Sequence, residues 1–324
     1  MTSARDLEAA FQIALGRVIF GAESIVHGLA VAMIAGGHVL LQGVPGIGKT
    51  LLAKTLAQSL GGRFARIQCT ADLMPSDMTG VNVFNAQTRS FELARGPLFA
   101  DVVLVDEINR TGPKTQSALL QAMEERTISI DSETHALPPR FFVIATQNPF
   151  EFEGTYPLPE AQLDRFLLRL DMGYPAAMAE EQVLRTYDRP QTAPADTVSA
   201  LAPDALAQAR HEVAQCHVAD ELYAYVIAIA AATRADARIG LGLSTRGALA
   251  LMRCARVEAV LAGRAFVTPD DIKAVAPAVM AHRLMLTADA LLEGATGADI
   301  VRSVLSQVPV PGTAAPANTV AASA

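Results

Sequence analysis

Apolar positions along the first third of the chain follow two rhythms. Leu7, Phe11 and Leu15 recur at spacing four, followed by Ile25, Leu29, Ala32 and Met33. Residues 3–36 are therefore expected to form helices, broken at Arg17-Val18-Ile19-Phe20-Gly21. From His38 onward the rhythm changes to short apolar runs. These are His38-Val39-Leu40-Leu41-Gln42, Phe64-Ala65-Arg66-Ile67-Gln68-Cys69, Val102-Val103-Leu104-Val105, Phe141-Phe142-Val143-Ile144-Ala145 and Phe166-Leu167-Leu168-Arg169-Leu170. Runs of strand length that alternate with helical segments predict an α/β fold with a parallel five-stranded sheet covered by helices on both faces. Such sheets bind ligands at the carboxyl ends of their strands. Polar residues follow three of the runs there: Gly43, Asp106-Glu107 and Gln147-Asn148.

Two segments interrupt the alternation. Phe84-Asn85-Ala86-Gln87-Thr88-Arg89-Ser90-Phe91, within 76–96, has the pattern of a hairpin, and so does 127–137. They are either caps on the sheet or loops that touch a substrate. Near Pro175 the pattern becomes almost wholly helical, with helices expected at 177–188, 203–216, 220–235, 244–262 and 268–284. Thr268-Pro269-Asp270-Asp271 opens the last with a capping pattern and a proline at the first helical position. The expected division is an α/β nucleotide-binding domain over 1–175, a smaller all-α domain over 176–307 and a disordered tail over 308–324. A Pro- and Thr-containing linker is expected around 189–200.

Composition narrows the function classes. With 324 residues, 51% of them hydrophobic, two domains can each bury a core. No apolar run reaches the ~18 residues of a membrane span. The start, Met1-Thr2-Ser3-Ala4-Arg5-Asp6, lacks a signal-peptide pattern, and Cys69, Cys216 and Cys254 form no C-x-x-C pair. A reduced cytoplasmic setting is expected. The net charge of −7, with only four Lys among 26 basic residues, argues against a broad nucleic-acid face.

Gly43-Val44-Pro45-Gly46-Ile47-Gly48-Lys49-Thr50 matches the phosphate-binding loop G-x-x-x-x-G-K-[ST] in full. It stands between an apolar strand and a helix beginning near Leu51, and residues 43–51 are the candidate nucleotide-binding segment. Glycines let backbone N–H groups close around phosphate oxygens, and the helix N-terminus adds partial positive charge. Lys49 would reach the β- and γ-phosphates of ATP, and the Thr50 hydroxyl would ligate Mg²⁺. Asp106, ending a strand, would complete the metal site through the ion's water shell, and Glu107 would align or deprotonate the attacking water.

Asn148, at the end of the next strand, is placed to polarise that water and contact the γ-phosphate; its plainer role is a turn before Pro149. Arg165, read in isolation, pairs locally with Asp164 or Glu160. Arg246 falls in the first turn of a helix, where a cation opposes the helix dipole and a nearby anion would offset the cost. His211-Glu212 resembles the start of H-E-x-x-H, but position 215 is Gln, so zinc is not expected there.

Over about residues 15–285 the chain resembles the MoxR family of AAA+ ATPases. The matching residues are Gly36-Gly37-His38-Val39-Leu40-Leu41 with the phosphate loop, Asp106-Glu107-Ile108-Asn109-Arg110, Ala145-Thr146-Gln147-Asn148-Pro149, Leu158-Pro159-Glu160-Ala161-Gln162-Leu163-Asp164-Arg165-Phe166 and Ser244-Thr245-Arg246. The resemblance implies an AAA+ P-loop sheet followed by a helical lid, with Walker A at 43–50 and Walker B at Asp106 and Glu107. It also implies sensor 1 at Asn148, an arginine finger at Arg165 that reaches a neighbouring subunit's γ-phosphate, and sensor 2 at Arg246. It further implies a homo-oligomer, a hexameric ring, with the 76–96 segment as the helix-2 insert. The partners it implies are proteins, among them von Willebrand factor A domain proteins, in chaperone-like activation and sometimes metal-cofactor insertion. A nucleic-acid motor and a nucleotide-gated scaffold with little hydrolysis are the alternatives. The shortage of lysine weighs against the first, and the intact Glu107, Asn148 and Arg165 weigh against the second.

Overall fold

The computed structural model describes residues 3–131, 133–148, 154–188 and 200–311. The expected linker, except Ala200, and the expected tail from Gly312 lie outside the described residues.

Two helices, α1 (Ala4–Gly16) and α2 (Glu23–Ile34), precede β1 (Val39–Gly43). Helix α3 (Lys49–Ser59) then leads to β2 (Phe64–Gln68). A short helix α4 (Pro75–Thr79) and a hairpin of β3 (Gly80–Asn85) and β4 (Ser90–Arg95) come before β5 (Val102–Asp106). Helix α5 (Pro113–Glu125) and a second hairpin, β6 (Thr127–Ile130) with β7 (Glu133–Ala136), precede β8 (Phe142–Gln147). A single turn, α6 (Glu160–Leu163), runs into β9 (Leu168–Met172), followed by α7 (Ala177–Tyr187) and α8 (Ala205–Ala214).

The five expected strands form one parallel sheet in the order β2-β5-β8-β1-β9. Val39, Leu40 and Leu41 and the run Val102 to Val105 are wholly buried, which explains why these strands are apolar without alternation. Register puts the polar strand ends level: Gln42 stands beside Gln147 and Asp171, and Gln68 beside Asp106. Under one face, α5 contributes Leu119, Leu120 and Met123 to a core with Val103, Val105 and Val143.

His38, at the opposite end of β1 from those polar residues, is buried. Its Nδ1 accepts from the Val143 amide at 3.0 Å, so the proton sits on Nε2, which donates to the Met123 carbonyl at 3.1 Å. Burial, helped by the nearby Arg126, drives its pKa down to about 3, so this is a neutral core imidazole.

The chain divides into two compact units, 1–213 and 214–324, whereas the pattern of apolar residues puts the boundary at 175/176. The difference has a physical cause. Helices α7 and α8 are helical in composition but bond to the first unit. Tyr187 donates to the Val18 carbonyl at 2.9 Å, Arg210 to the Met33 carbonyl at 2.9 Å, and Glu212 accepts from the Ala4 amide at 2.7 Å.

The second unit holds α9 (Asp220–Ala235), β10 (Ile239–Leu241), α10 (Thr245–Leu261), α11 (Pro269–Met280), β11 (Met285–Leu286), α12 (Ala288–Leu292) and α13 (Gly297–Gln307). Asp271 accepts from the Thr268 amide at 2.7 Å, so the expected cap on α11 is present. The expected helix over 268–284 is α-helical to Met280 and continues as a 3-10 turn over Ala281–Arg283, after which Met285 and Leu286 pair with β10 as a small antiparallel ribbon. Helix α13 was not expected at all. It is capped by Thr296, whose hydroxyl accepts from the Asp299 amide at 3.2 Å, and it buries Ile300, Val301 and Val304. No helix among the described residues is long and apolar enough to cross a membrane.

Candidate functional site

The loop between β1 and α3 has the conformation its glycines allow. Gly48 caps α3 with φ +88°, and a Cβ there would lie 2.9 Å from the Ile19 side chain. A Cβ on Gly43 would come within 2.4 Å of the Met172 carbonyl on β9, so this strand end tolerates no side chain. The first-turn amides of α3 have no helical acceptor and are available to an anion.

On one side of this loop lies a polar cleft of about 410 Å³, lined by Gly48, Lys49, Thr50, Asp106 and Glu107 among others. Lys49 donates through Nζ to the Gly43 carbonyl at 2.8 Å. Burial pushes its ammonium below the ordinary lysine range, while Asp106 and Glu107 pull the other way. On the other side lies a cavity of about 550 Å³, bounded by Val18, Ile19, Tyr174, Val183 and Tyr187, with the polar Ser24, Asp171 and Glu180 also on its wall. Pro45, Gly46, Gly48 and Leu51 line both spaces.

The carboxylates are held by groups from neighbouring strands. Thr146 donates to Asp106 Oδ1 at 2.6 Å and accepts from the Glu107 amide at 2.9 Å. Arg66 donates to Asp106 Oδ2 at 2.6 Å and to Gln68 Oε1 at 2.6 Å. Gln68 and Arg110 converge on Glu107 Oε2, at 3.2 and 3.0 Å. Glu107 itself has φ +57° and ψ +54°, a left-handed conformation that costs a non-glycine residue about 1–3 kcal/mol. The Thr146 bond to its amide helps to hold it there. Cys69, beside Asp106, is pushed up to about 12 by burial and the two carboxylates, so it is an inert thiol.

Thr50 and Asp106 face one cleft with a hydroxyl and a carboxylate, hard oxygen donors that suit Mg²⁺. Asn148 follows β8 one residue past Gln147, which pairs with Gln42 just before Gly43. Arg165 does not line the cleft. Its Nε pairs with Glu124 Oε2 on α5 at 2.9 Å, in place of the local partners expected from sequence, Asp164 or Glu160. Arg246 is exposed in the first turn of α10, in the second unit. Val44 lines neither space.

Sequence reasoning passed over Arg66, Gln68, Thr146 and Arg110 as site residues, and over the cavity formed by 18–25 and α7. Arg66 and Gln68 carried one signal: polar residues two apart on an otherwise apolar strand share a face. Thr146 carried a weaker one, as a hydroxyl just before a polar strand end.

Comparisons with known proteins bear on the family and the fold. The family described as ATPase family associated with various cellular activities (AAA) matches residues 38–168, and the AAA lid domain family matches 231–304. Chaperone MoxR1 of Mycobacterium tuberculosis is 39% identical over 91% of this chain and 80% of its own. Protein MoxR of Methylorubrum extorquens is 31% identical over 96% and 97% of the two chains. YeaC of Bacillus subtilis, whose function is uncharacterised, is 47% identical over 92% of each. A Cytophaga hutchinsonii protein, solved as a candidate ATPase, superposes with a TM-score of 0.87 at 36% identity, covering 95% of this chain and 96% of its own.

Proposed function

Because this chain belongs to the MoxR family of AAA+ ATPases, we propose that it binds and hydrolyses ATP in the cleft beside the 43–50 loop and uses the cycle to remodel a partner protein. One observation carries the reading: the 43–50 loop borders both a cavity walled mainly by apolar side chains and a cleft lined by two carboxylates. The adenine ring would occupy the first and the triphosphate the second.

In that arrangement the α3 amides and Lys49 bind the phosphates, and Thr50 with Asp106 would hold Mg²⁺. The ion, when bound, supplies neutralisation of charge on the phosphate oxygens. Glu107 orients the attacking water and accepts its proton; Gln68 and Arg110 hold the carboxylate in place. Asn148, at the same sheet edge, contacts the water or the γ-phosphate. Arg165 and Arg246 are proposed to complete the site as finger and sensor in a homo-oligomeric, hexameric ring in the cytoplasm.

The name Chaperone MoxR1 on a relative supports a protein substrate, of which a von Willebrand factor A domain protein and metal-cofactor insertion are the specific forms proposed. ATP turnover and equilibrium ATP binding by the purified chain test the reading. Glu107→Gln should keep ATP binding and lose about 100-fold or more in turnover, and Lys49→Ala should lose binding. A Lys49→Ala chain that binds ATP like the parent would refute the nucleotide site. Affinity capture with ATP-held Glu107→Gln, repeated with Lys49→Ala as the control, tests the partner.

A further inference from the structure

The Asp106 carboxylate already has a cation on its cleft side. Its two oxygens are used differently. Oδ1 accepts from Thr146, which is buried. Oδ2 accepts from Arg66 at 2.6 Å, and Arg66, unlike Thr146, lines the cleft. The Arg66 side chain is 45% exposed against 14% for Asp106, so the guanidinium is the partner free to move. A second acceptor, Gln68 Oε1 at 2.6 Å, holds Arg66 when it leaves the carboxylate.

We propose that Arg66 is a built-in competitor for Mg²⁺ at Asp106, so that the metal enters only as the Arg66–Asp106 ion pair opens. This rests on the reading of the cleft as a Mg-nucleotide site. Two cations directed at one carboxylate oxygen repel each other, and the metal's water shell needs the lone pairs that the guanidinium occupies. Competition raises the Mg²⁺ concentration needed to load the site. By linkage, a loaded metal frees Arg66 from Asp106. Until then, Arg66 keeps Asp106 in its rotamer and neutralised.

The test is equilibrium binding of a fluorescent ADP analogue across a Mg²⁺ series and in EDTA, for the parent chain, Arg66→Gln and Arg66→Lys. The Mg²⁺ concentration giving half of the metal-dependent gain in affinity is the readout. For a partly exposed pair, Arg66→Gln should lower that midpoint by about two- to fivefold, with Arg66→Lys in between. An unchanged or raised midpoint in Arg66→Gln would overturn the proposal. So would loss of nucleotide affinity at saturating Mg²⁺, which would make Arg66 a phosphate ligand instead. If Arg66→Gln fails to fold, Arg66→Lys alone decides, by a lowered or an unlowered midpoint. A parent chain that binds no ADP under any condition would instead sink the nucleotide reading on which this one stands.

Discussion

Thr146 donates its one hydroxyl proton to Asp106, 2.6 Å away, and the same oxygen receives the Glu107 amide at 2.9 Å. One buried side chain thus fixes both carboxylate residues. Valine has nearly the same shape and neither bond. Thr146→Val should cost about 1–3 kcal/mol for the stranded amide and carboxylate and should lower turnover. Thr146→Ser should recover most of both. Chemical denaturation and ATP hydrolysis on the same samples check this, and a Val variant as stable and active as the parent would contradict it.

Arg165 is held by Glu124 within its own chain, with side chains 30% and 41% exposed. A pair that open to solvent contributes under about 1 kcal/mol. Arg165→Ala should therefore hardly shift the melting temperature yet reduce ATP turnover, if its work is done at a neighbour's nucleotide. Mixing it with Lys49→Ala subunits should then restore activity above the sum of the two. No restoration would leave Arg165 as a partner of Glu124 and nothing more.

His38 predicts a specific pH dependence. Its folded pKa is depressed to about 3, below its unfolded value of about 6.5, so between these limits the unfolded chain binds more protons. Stability contributed by the neutral imidazole is complete above about pH 6.5 and falls as the pH drops toward 3, by about 2 kcal/mol at pH 5. Urea midpoints at pH 5 and 8 for the parent and for His38→Gln should show the variant losing less stability on acidification. Equal losses would remove His38 from the account.

Arg210 ties α8 to the C-terminal end of α2 by donating to the Met33 carbonyl through Nη2 at 2.9 Å. A cation at a helix C-terminus adds about 0.3–1 kcal/mol beyond the hydrogen bond. Arg210→Ala should lower stability by about 1–2 kcal/mol and speed proteolytic cleavage near residues 200–214. Cleavage at the parent's rate would show that other contacts hold α8.

Much of the site was legible because its chemistry is contiguous. The phosphate loop is a run of eight residues whose conformation depends on its own glycines, and Asp106-Glu107 directly follows four buried apolar residues. The five strands were legible for a similar reason, since burial on both faces writes an unbroken apolar run. Helix α13 carried a legible signal that the sequence reading passed over: Ile300, Val301 and Val304 at helical spacing behind the Thr296–Asp299 capping pair.

The sequence by itself therefore determined where the phosphate-loop motif stands, which carboxylates stand at a strand end, and that a parallel sheet carries them. Those properties come from neighbours along the chain. Tertiary structure alone decided what surrounds them. Strand order put Arg66, Gln68 and Thr146 beside Asp106 and Glu107, although 38 or more residues separate each pair. Packing also gave Glu107 its left-handed backbone, paired Arg165 with Glu124 and assigned α7 and α8 to the first unit. Pairings between distant segments depend on which strands become neighbours in the sheet, and the local pattern of side chains leaves that order open.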